Sequence, residues 1–174
     1  MIQNFSELQK GDNFKFGNYH GDIEWRVLKK DSNSLLVISE YGLDCKPFDI
    51  EGKTNKWDFC SLKKWLNTDF FNEAFNSEEK RLIKDTIYGK VFLLNVKEAR
   101  KYFKDVDARR CKPTQYALSQ GAKTLNGNYC YWWLRSKGHY DNYAIYVYIN
   151  GSVYHRGYFV DVINSVRPAM RLKI

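Results

Sequence analysis

Residues 131–171 read YWWLRSKGHYDNYAIYVYINGSVYHRGYFVDVINSVRPAMR, and this stretch guides the interpretation of the whole chain. Apolar runs open and close it, whereas its middle, residues 139–164, is rich in Tyr, Asn, Asp and His. That middle contains no Lys, Glu, Gln, Met or Trp, although those five types make up about a fifth of the chain. At that frequency, about six of them would be expected in a segment of this length. The missing residue types require an explanation.

The length and composition predict one globular domain over residues 1–174. With 44% hydrophobic residues, a chain of 174 residues is long enough for one well-buried core and short for two. No internal repeat, low-complexity linker or change in composition divides it. The sequence lacks a run of about eighteen apolar residues and the pattern of a signal peptide. We therefore expect no membrane span, and a cytoplasmic or virion-associated protein rather than one secreted by the standard route.

The cysteines and the net charge set two further expectations. Cys45, Cys60, Cys111 and Cys130 show no CxxC or Cys/His spacing, so we expect free buried thiols, no metal site and no cofactor. The formal charge of +8 is compatible with nucleic acid or an acidic partner. The lysines, however, are spread through every segment among Asp and Glu, as on an ordinary solvated surface. Nucleic acid is therefore not the expected partner.

The strands are predicted from short runs of β-branched and aromatic residues. Residues 23–28 (IEWRVL) and 35–39 (LLVIS) flank a polar KKDSNS and predict a hairpin. Residues 90–94 (KVFLL) predict a short buried strand, and 131–134 a central one. A turn at Arg156-Gly157 is expected before a strand over residues 158–164. Pro168 cannot donate a ladder hydrogen bond, so the closing strand over 166–172 is interrupted or lies at an edge.

The helices are predicted from apolar residues at helical spacing and from capping patterns. Asn76 and Asn95 each precede a Glu by three residues, which is the spacing of a capping box. Gly121 is in position to end a helix in the left-handed conformation. Trp65, Phe71 and Phe75 are interpreted as core residues. The predicted helices cover residues 61–67, 69–75, 76 to about 85, 95 to about 103, and 114–120.

The alternating residues 144–154 predict a β-hairpin whose register depends on the loop. A two-residue Asn150-Gly151 loop would place Val147 opposite Tyr154 and mix apolar and polar sides. A three-residue loop, with Gly151 in the left-handed position, instead pairs Val147 with Val153. We predict this second register. It turns three apolar residues inward and four polar residues outward: Ile145, Val147 and Val153 face the core, and Tyr146, Tyr148, Ser152 and Tyr154 face out.

Two arginines lie beside apolar runs, and both are interpreted as structural. Arg135 follows a pair of tryptophans, where a charge must find backbone carbonyls or an ion-pair partner. Arg167 lies in the closing VRPAMRL run and is expected to make similar scaffold contacts.

The tyrosine-rich outer face has two interpretations. It is either an antiparallel sheet with one face exposed to solvent, in which tyrosine is simply a good strand former, or a binding surface. Tyrosine offers a large amphipathic contact area at low entropic cost, and Asn, Ser, Asp and His add adaptable hydrogen bonds, as in antibody paratopes. Composition alone leaves both interpretations open.

Several motifs carry a resemblance to a known group of proteins. They are WWLRS at 132–136, GSV at 151–153, VRPA at 166–169, WDFCSLKKWLNTDFFNEAF at 57–75 and KVFLLNVKEARKYF at 90–103. Together they resemble a prokaryotic and phage domain of the C-type lectin superfold, related to the formylglycine-generating enzyme branch. The resemblance covers nearly the whole chain from about residue 17. The chain departs from the pattern at Lys137 and Ser165, where the group usually has Pro and Gly.

The resemblance implies a hypervariable protein of a diversity-generating retroelement. In such systems an error-prone reverse transcriptase rewrites adenines in a C-terminal cassette. Asparagine codons can then become many residue types, but never Lys, Glu, Gln, Met or Trp. The resemblance places fixed residues at Gly138, Ala144, Val147, Gly151, Val153, Gly157, Val160 and Val166. It places diversified ones at His139 to Tyr143, Tyr146, Tyr148 to Asn150, Ser152, Tyr154 to Arg156, Tyr158, Phe159 and Asp161 to Asn164.

The fold class we predict is therefore α+β: a C-type-lectin-like domain with a small twisted antiparallel sheet, flanking helices and a C-terminal binding surface over residues 131–171. The function we predict is non-catalytic binding of a protein or other macromolecule. The expected contact residues are His139, Tyr140, Asp141, Asn142, Tyr143, Tyr146, Tyr148, Asn150, Ser152, Tyr154, His155, Arg156, Tyr158, Phe159, Asp161 and Asn164.

Other functions remain open at this point. The chain is alternatively a non-diversified homologue that binds a carbohydrate or a protein. A calcium-dependent lectin is not predicted, because no calcium-ligand motif is present. An oxidase of the formylglycine-generating type would resemble copper enzymes with paired cysteines. No such pair is predicted, because Cys111 and Cys130 lie in different predicted elements and Cys45 and Cys60 are remote from both.

Overall fold

The computed structural model describes residues 5–125 and 128–174, which form an α+β fold with mostly antiparallel strand pairs. Residues 1–4, at the start of the predicted domain, and 126–127 lie outside the described residues. The predicted α+β class is confirmed. The sheet content is larger than the single small sheet expected, because the strands form two five-stranded sheets and a two-stranded one. Among the described residues, no helix is both long and apolar enough to cross a membrane.

The strands are numbered in chain order. They are β1 Asn13–Asn18, β2 Asp22–Asp31, β3 Ser34–Ser39, β4 Asp44–Pro47, β5 Val91–Phe92, β6 Thr124–Leu125, β7 Tyr129–Cys130, β8 Trp132–Lys137, β9 Tyr143–Val147, β10 Val153–Phe159, β11 Ile163–Val166 and β12 Ala169–Lys173.

The first sheet has the order β1-β2-β3-β12-β5 and forms the inner scaffold. Strands β2 and β3 form the predicted hairpin, with Asp31 opposite Ser34 at its turn. Every residue of β3 is buried, and the strand lies in the middle of this sheet between β2 and β12. Strand β12 pairs with β3 on one side and β5 on the other, so the C-terminal residues close this sheet.

The second sheet has the order β10-β9-β8-β11-β4, so β8 is central as predicted. Strand β8 pairs antiparallel with β9 and parallel with β11, where Ser165 lies opposite Trp132. The chain passes from this sheet to the first at Arg167-Pro168, between β11 and β12. The predicted interruption at Pro168 is therefore confirmed.

The predicted hairpin register is confirmed, and the expected second turn is wrong. Val147 lies opposite Val153, and Gly151 has φ +85° at the end of a three-residue loop. The expected turn at Arg156-Gly157 is absent, since β10 runs on to Phe159. Instead the register shifts between Tyr154 and Tyr158, where three residues of β10 face only Ile145 of β9. The chain therefore absorbs Arg156-Gly157 in a bulge rather than a reversal.

The helices are short and lie beside the sheets. A π-helical turn, Leu66–Phe70, joins the first two, and the segments Phe5–Glu7 and Trp57–Phe59 are 3₁₀ turns. The helices are α1 Ser61–Trp65, α2 Phe71–Ala74, α3 Ser77–Leu82, α4 Val96–Tyr102, α5 Val106–Arg109 and α6 Gln115–Ser119.

The predicted helix ends are confirmed in part. Asn76 and Asn95 form complete capping boxes with Glu79 and Glu98. Gly121 follows α6 with φ +97°, as predicted. Helix α3, however, stops at Leu82 rather than near residue 85. The next residue, Ile83, is extended and forms a bridge with Leu172 of β12, and this long-range pairing ends the helix.

Buried residues of both five-stranded sheets and of the helices form one hydrophobic core. Trp25, Trp132 and Trp133 are fully buried, and each indole nitrogen donates to a backbone carbonyl. Of the predicted core residues in the helices, Phe75 is buried, whereas Trp65 and Phe71 are half-buried and pack against the core.

Arg135 and Arg167 are buried and make the structural contacts expected of them. Arg135 Nη1 donates to the carbonyl of Leu93 at 2.8 Å, and the guanidinium pairs with Glu98. Arg167 donates to the carbonyls of Ser39 and Glu40 at 2.9 and 3.3 Å.

Candidate ligand-binding surface

The outer edge of the second sheet carries a group of exposed aromatic side chains. Tyr140, Tyr154, Tyr158 and Phe159 each expose between 42% and 47% of their surface, and half-buried Tyr143 lies among them. We call these five residues the aromatic surface. The ring of Tyr143 lies 4.6 Å from that of Phe159 and 5.0 Å from that of Tyr140, centroid to centroid. Tyr140, Tyr143, Tyr158 and Phe159 therefore form one neighbouring set, and the ring of Tyr154 packs instead on that of Tyr146.

A cavity lies beside the aromatic surface, and tyrosine side chains form much of its wall. It has a volume of about 230 Å³. Tyr131 and Tyr148 meet edge to face, with their ring centroids 5.0 Å apart. The cavity therefore combines aromatic walls with phenolic hydroxyl groups, an amide and one ammonium group. Its lining consists of Lys123, Tyr131, Tyr146, Tyr148, Tyr158, Val162, Ile163 and Asn164.

Tyr146 is buried, which corrects the prediction that it faces out. It lies on the expected side of β9, but the rings of Tyr131, Trp133 and Tyr154 lie 5.3 to 6.1 Å away and leave only 7% of the residue exposed. Burial, followed by the neighbouring tyrosine hydroxyls, raises the pKa of Tyr146 to about 12. The residue is therefore a neutral part of the surface's support rather than a free contact group.

The other predicted contact residues are mostly accessible. Asn164 is buried at 8%, against expectation, because β11 places it opposite Lys46 of β4 inside the second sheet. Ile149, one of the positions expected to vary, is also buried, at the hairpin loop. Half-buried are Asn142, Tyr143, Tyr148 and Ser152; exposed are His139, Tyr140, Asp141, Asn150, Tyr154, His155, Arg156, Tyr158, Phe159 and Asp161.

The residues placed as fixed lie beneath this surface. Two of them, Gly138 and Val153, are half-buried, and the others are buried: Ala144, Val147, Gly151, Gly157, Val160 and Val166. Three of the glycines have no room for a side chain. A Cβ would lie 2.7 Å from Tyr143 Cβ at Gly138, 1.7 Å from the carbonyl oxygen of Val106 at Gly151, and 2.6 Å from that of Ala144 at Gly157.

Two scaffold residues that the sequence did not single out hold the surface loops. The side-chain amide of Asn55 donates to the carbonyls of Tyr140 and Tyr143, at 2.8 and 3.0 Å. Arg109 Nε donates to the carbonyl of Gly151 at 2.8 Å. Both are buried polar residues whose partners lie far away along the chain, so no local pattern marks them. Hydrogen bonds from buried side chains of this kind hold the loop backbone in place. The position of the loops therefore depends little on the exposed side chains.

Two of the cysteines lie together, which corrects the expectation that they are separate. The backbone nitrogen of Cys130 donates to the carbonyl of Cys111 at 2.8 Å, and its thiol approaches the same carbonyl at 3.3 Å. The chain after α5 runs beside the end of β7, and this long-range contact brings the two cysteines together. All four cysteines are free and buried, as predicted. Within residues 5–125 and 128–174, no three His, Cys, Asp or Glu residues gather where a metal ion could bind.

The fold and surface define an α+β domain that displays aromatic and polar side chains on a rigid C-terminal hairpin and its neighbouring loops. The chain belongs to the family described as a domain of unknown function (DUF6273), whose model matches residues 32–174. This match includes the whole aromatic surface and every strand from β3 onward. No curated protein and no solved structure matches the chain significantly.

Proposed function

We propose that this protein is a non-catalytic binding protein with a C-type-lectin-like fold that contacts a macromolecular partner, most simply a protein, through the aromatic surface. The observation that carries this proposal is the division of residues 138–166 by burial. Six of the eight positions expected to be fixed are buried and the other two are half-buried, whereas most positions expected to vary are exposed. Such a division is what a variable binding face on an invariant frame requires.

The side chains of the surface suit macromolecular recognition. Tyrosine and phenylalanine rings provide broad contact area with few rotatable bonds, so little entropy is lost when they are covered. Asn150, Asp141 and Asp161 add exposed hydrogen-bonding groups in the same segment of the chain. Four large aromatic residues exposed at more than 40% on one edge of a sheet also favour an interaction site over an ordinary solvated face.

We propose further that the surface is the diversified region of a retroelement. Lys, Glu and Gln are among the commonest residues on exposed positions of soluble proteins. Here they are missing from a segment in which ten predicted contact residues are exposed. A solvated sheet gives no reason for that gap, whereas mutagenesis of asparagine codons at adenines excludes those residue types.

The coding DNA tests the retroelement. A near-copy of the segment for residues 131–171, differing from it at adenines and lying beside a reverse transcriptase gene, is the expected finding. Differences spread over all four bases, or no such copy, would contradict diversification while leaving the binding proposal standing.

A set of ring deletions tests the binding surface itself. The variant Tyr140→Ala/Tyr154→Ala/Tyr158→Ala/Phe159→Ala is expected to lose capture of the partner isolated with the unaltered protein. Its melting temperature is expected to stay within a few degrees, since exposed substitutions usually change stability by less than about 0.5 kcal/mol each. The single variant Tyr146→Ala serves as the opposite control, with an expected loss of about 3 kcal/mol from a buried ring. Severe destabilisation of the quadruple variant would restore the interpretation of these rings as structural.

The adjacency of Cys111 and Cys130 supports one second candidate, an oxidase with copper bound by paired cysteines. Both thiols are buried, and the hydrogen bond with Cys111 together with burial raises the pKa of Cys130. Against the effect of its burial, the same hydrogen bond lowers the pKa of Cys111, so only one thiol of the pair is disposed to form the thiolate that binds copper. Titration with copper(I), followed by counting of the remaining reactive thiols, decides the matter. Stoichiometric binding that protects two thiols would favour the oxidase over the binding protein.

A further inference from the structure

We infer that a basic cleft at one edge of the aromatic surface binds the carboxylate groups of an acidic segment in the protein partner. This inference rests on the proposed binding function and adds the charge of the partner to it. The cleft lies between the loop before β9 and the bulge of β10 and has a volume of about 610 Å³. Its lining consists of Lys137, Gly138, His139, Tyr140, His155 and Arg156.

The bulge of β10 creates one wall of this cleft. Three residues of β10, residues 155–157, face only Ile145 across the strand pair, so His155 and Arg156 are released from regular pairing and are exposed. Gly157, with φ +73°, turns the strand back into register. The opposite wall is held in place because the backbone nitrogen of His139 donates to the carbonyl of Arg156 at 2.8 Å. The cleft is therefore a fixed feature of the backbone.

The cleft carries positive charge with no acidic side chain in its lining. Within residues 5–125 and 128–174, Lys137, Arg156 and the neighbouring Arg100 form no ion pair, although eleven such pairs occur elsewhere. Arg100 Nη2 lies 2.6 Å from His155 Nε2. Because a guanidinium only donates, Nε2 accepts this hydrogen bond and Nδ1 remains a donor. Arg100 thus adds its own charge and orients His155.

A carboxylate is the ligand group that these donors suit. The guanidinium of Arg156 lies 5.8 Å from the ring centroid of Tyr140, and the ring of His139 lies 4.8 Å from the same ring. A planar guanidinium beside an aromatic ring binds a carboxylate with two parallel hydrogen bonds. Lys137 and Arg100 lie outside the positions expected to vary. Part of the positive charge at the cleft therefore comes from residues that diversification would leave unchanged.

The surroundings favour an acidic protein segment over nucleic acid. The basic groups occupy one short cleft rather than a continuous stripe, and a nucleic-acid backbone needs charge along its length. Exposed Asp141, which follows the cleft residue Tyr140 in the chain, would repel a phosphate chain that extended beyond the cleft. A few Asp or Glu side chains of a folded partner meet no such repulsion, since the rest of the contact is made by rings.

The test uses the whole protein and a fluorescein-labelled hexaglutamate peptide as the probe. Fluorescence anisotropy at low salt is expected to show binding to the unaltered protein and at least tenfold weaker binding to Lys137→Ala/Arg156→Ala. The control Lys10→Ala/Lys64→Ala removes the same charge from exposed lysines that form no ion pair among the described residues, and is expected to bind as the unaltered protein does. Equal melting temperatures of the two double variants show that both are folded.

Three outcomes would overturn the inference. One is an equal loss of binding in the control, which would make net charge responsible. Another is a hexaglutamate affinity no greater than that for a hexalysine peptide. The third is a single-stranded oligonucleotide of equal charge that binds more tightly than hexaglutamate and depends on the same two residues, which would assign the cleft to nucleic acid.

A ring variant separates this inference from the proposed function. Tyr154→Ala/Tyr158→Ala/Phe159→Ala leaves the lining of the basic cleft intact and is expected to keep hexaglutamate binding while losing the natural partner. If the peptide fails to bind although the natural partner needs the rings, only the charge inference fails. If the peptide binds but loss of the three rings leaves binding of the natural partner unchanged, the aromatic surface is not the binding site.

Discussion

Gly151 shows how one residue fixes the tip of the hairpin formed by β9 and β10. Its φ of +85° suits glycine, and a Cβ there would lie 1.7 Å from the carbonyl oxygen of Val106. Its own carbonyl accepts the hydrogen bond from buried Arg109. The hairpin loop is therefore in backbone contact with α5, and its position does not depend on the exposed side chains around it.

Substitution of Gly151 is expected to be much more costly than substitution of a glycine with the same backbone conformation and free space. Gly151→Ala combines left-handed strain of about 1 kcal/mol with steric overlap of about 1–3 kcal/mol. At Gly121, φ is +97° and nothing lies within 4 Å of a Cβ, so Gly121→Ala is expected to cost only the strain. Urea unfolding of both variants measures the difference. Equal losses would mean that the approach to Val106 relaxes freely.

The elements around β8 are joined by Arg135 and Glu98. Arg135 Nη1 donates to the carbonyl of Leu93 just after β5, and its guanidinium lies 3.7 Å from the ring centroid of Tyr88. Glu98 accepts from Arg135 and also from the backbone nitrogen of Asn95 at the start of α4. One carboxylate thus completes a helix cap and neutralises a buried charge beside the central strand.

Removal of this carboxylate is expected to destabilise the protein by about 2–3 kcal/mol. Loss of one partner of a buried pair costs about 3–5 kcal/mol, and Glu98 retains 26% side-chain exposure, which reduces that figure. The matched control is Glu78→Ala in the first turn of α3, where an exposed acid contributes at most about 1 kcal/mol through the helix dipole. Denaturant midpoints of Glu98→Ala and Glu78→Ala provide the comparison, and similar midpoints would contradict the role of Arg135.

Local patterns predicted these elements where local contacts determine them. The capping boxes and the Val147–Val153 register follow from residues close in sequence, so the sequence was sufficient. Alternation also placed Tyr146 on the correct side of β9. Alternation did not reveal that Tyr131 and Tyr154 cover that side. The periodicity of a strand predicts which face a side chain lies on, but it does not predict which other residues pack against that face.

The failures share a dependence on distant partners. Helix α3 ends early because Ile83 pairs with Leu172, and Cys111 lies beside Cys130 because two remote segments run together. The basic cleft escaped prediction for the same reason, since Arg100 of α4 meets His155 only in the folded chain. A single sequence contains no signal for such pairings.

The two sheets enclose tyrosines whose ionisation opposes folding, and this gives the molecule a defined limit in alkali. The pKa of Tyr146 is raised to about 12. The pKa of Tyr19 is raised as well, by its burial and by the hydrogen bond that the Tyr19 hydroxyl donates to Asp44. An unfolded tyrosine ionises near pH 10. The stability from these neutral hydroxyls is therefore fully present below about pH 10 and is lost as the pH rises toward the folded values.

Between pH 9 and pH 11.5 the free energy of unfolding is expected to fall, and Tyr146→Phe is expected to reduce that fall by about 2 kcal/mol. The matched control is Tyr158→Phe, which removes a hydroxyl from an exposed ring. Urea titrations of the three proteins at the two pH values measure the effect. A decline that is identical in all three would show that Tyr146 ionises freely in the folded state.

The division between buried frame and exposed rings also has a consequence for how such a protein changes over generations. Gly138, Gly151 and Gly157 set the backbone, while the rings of Tyr140, Tyr154 and Tyr158 contribute little to it. Under the proposed function, the residues that preserve the fold and the residues that select the partner are therefore encoded by separate codons. A change of partner then requires no change in the codons on which folding depends.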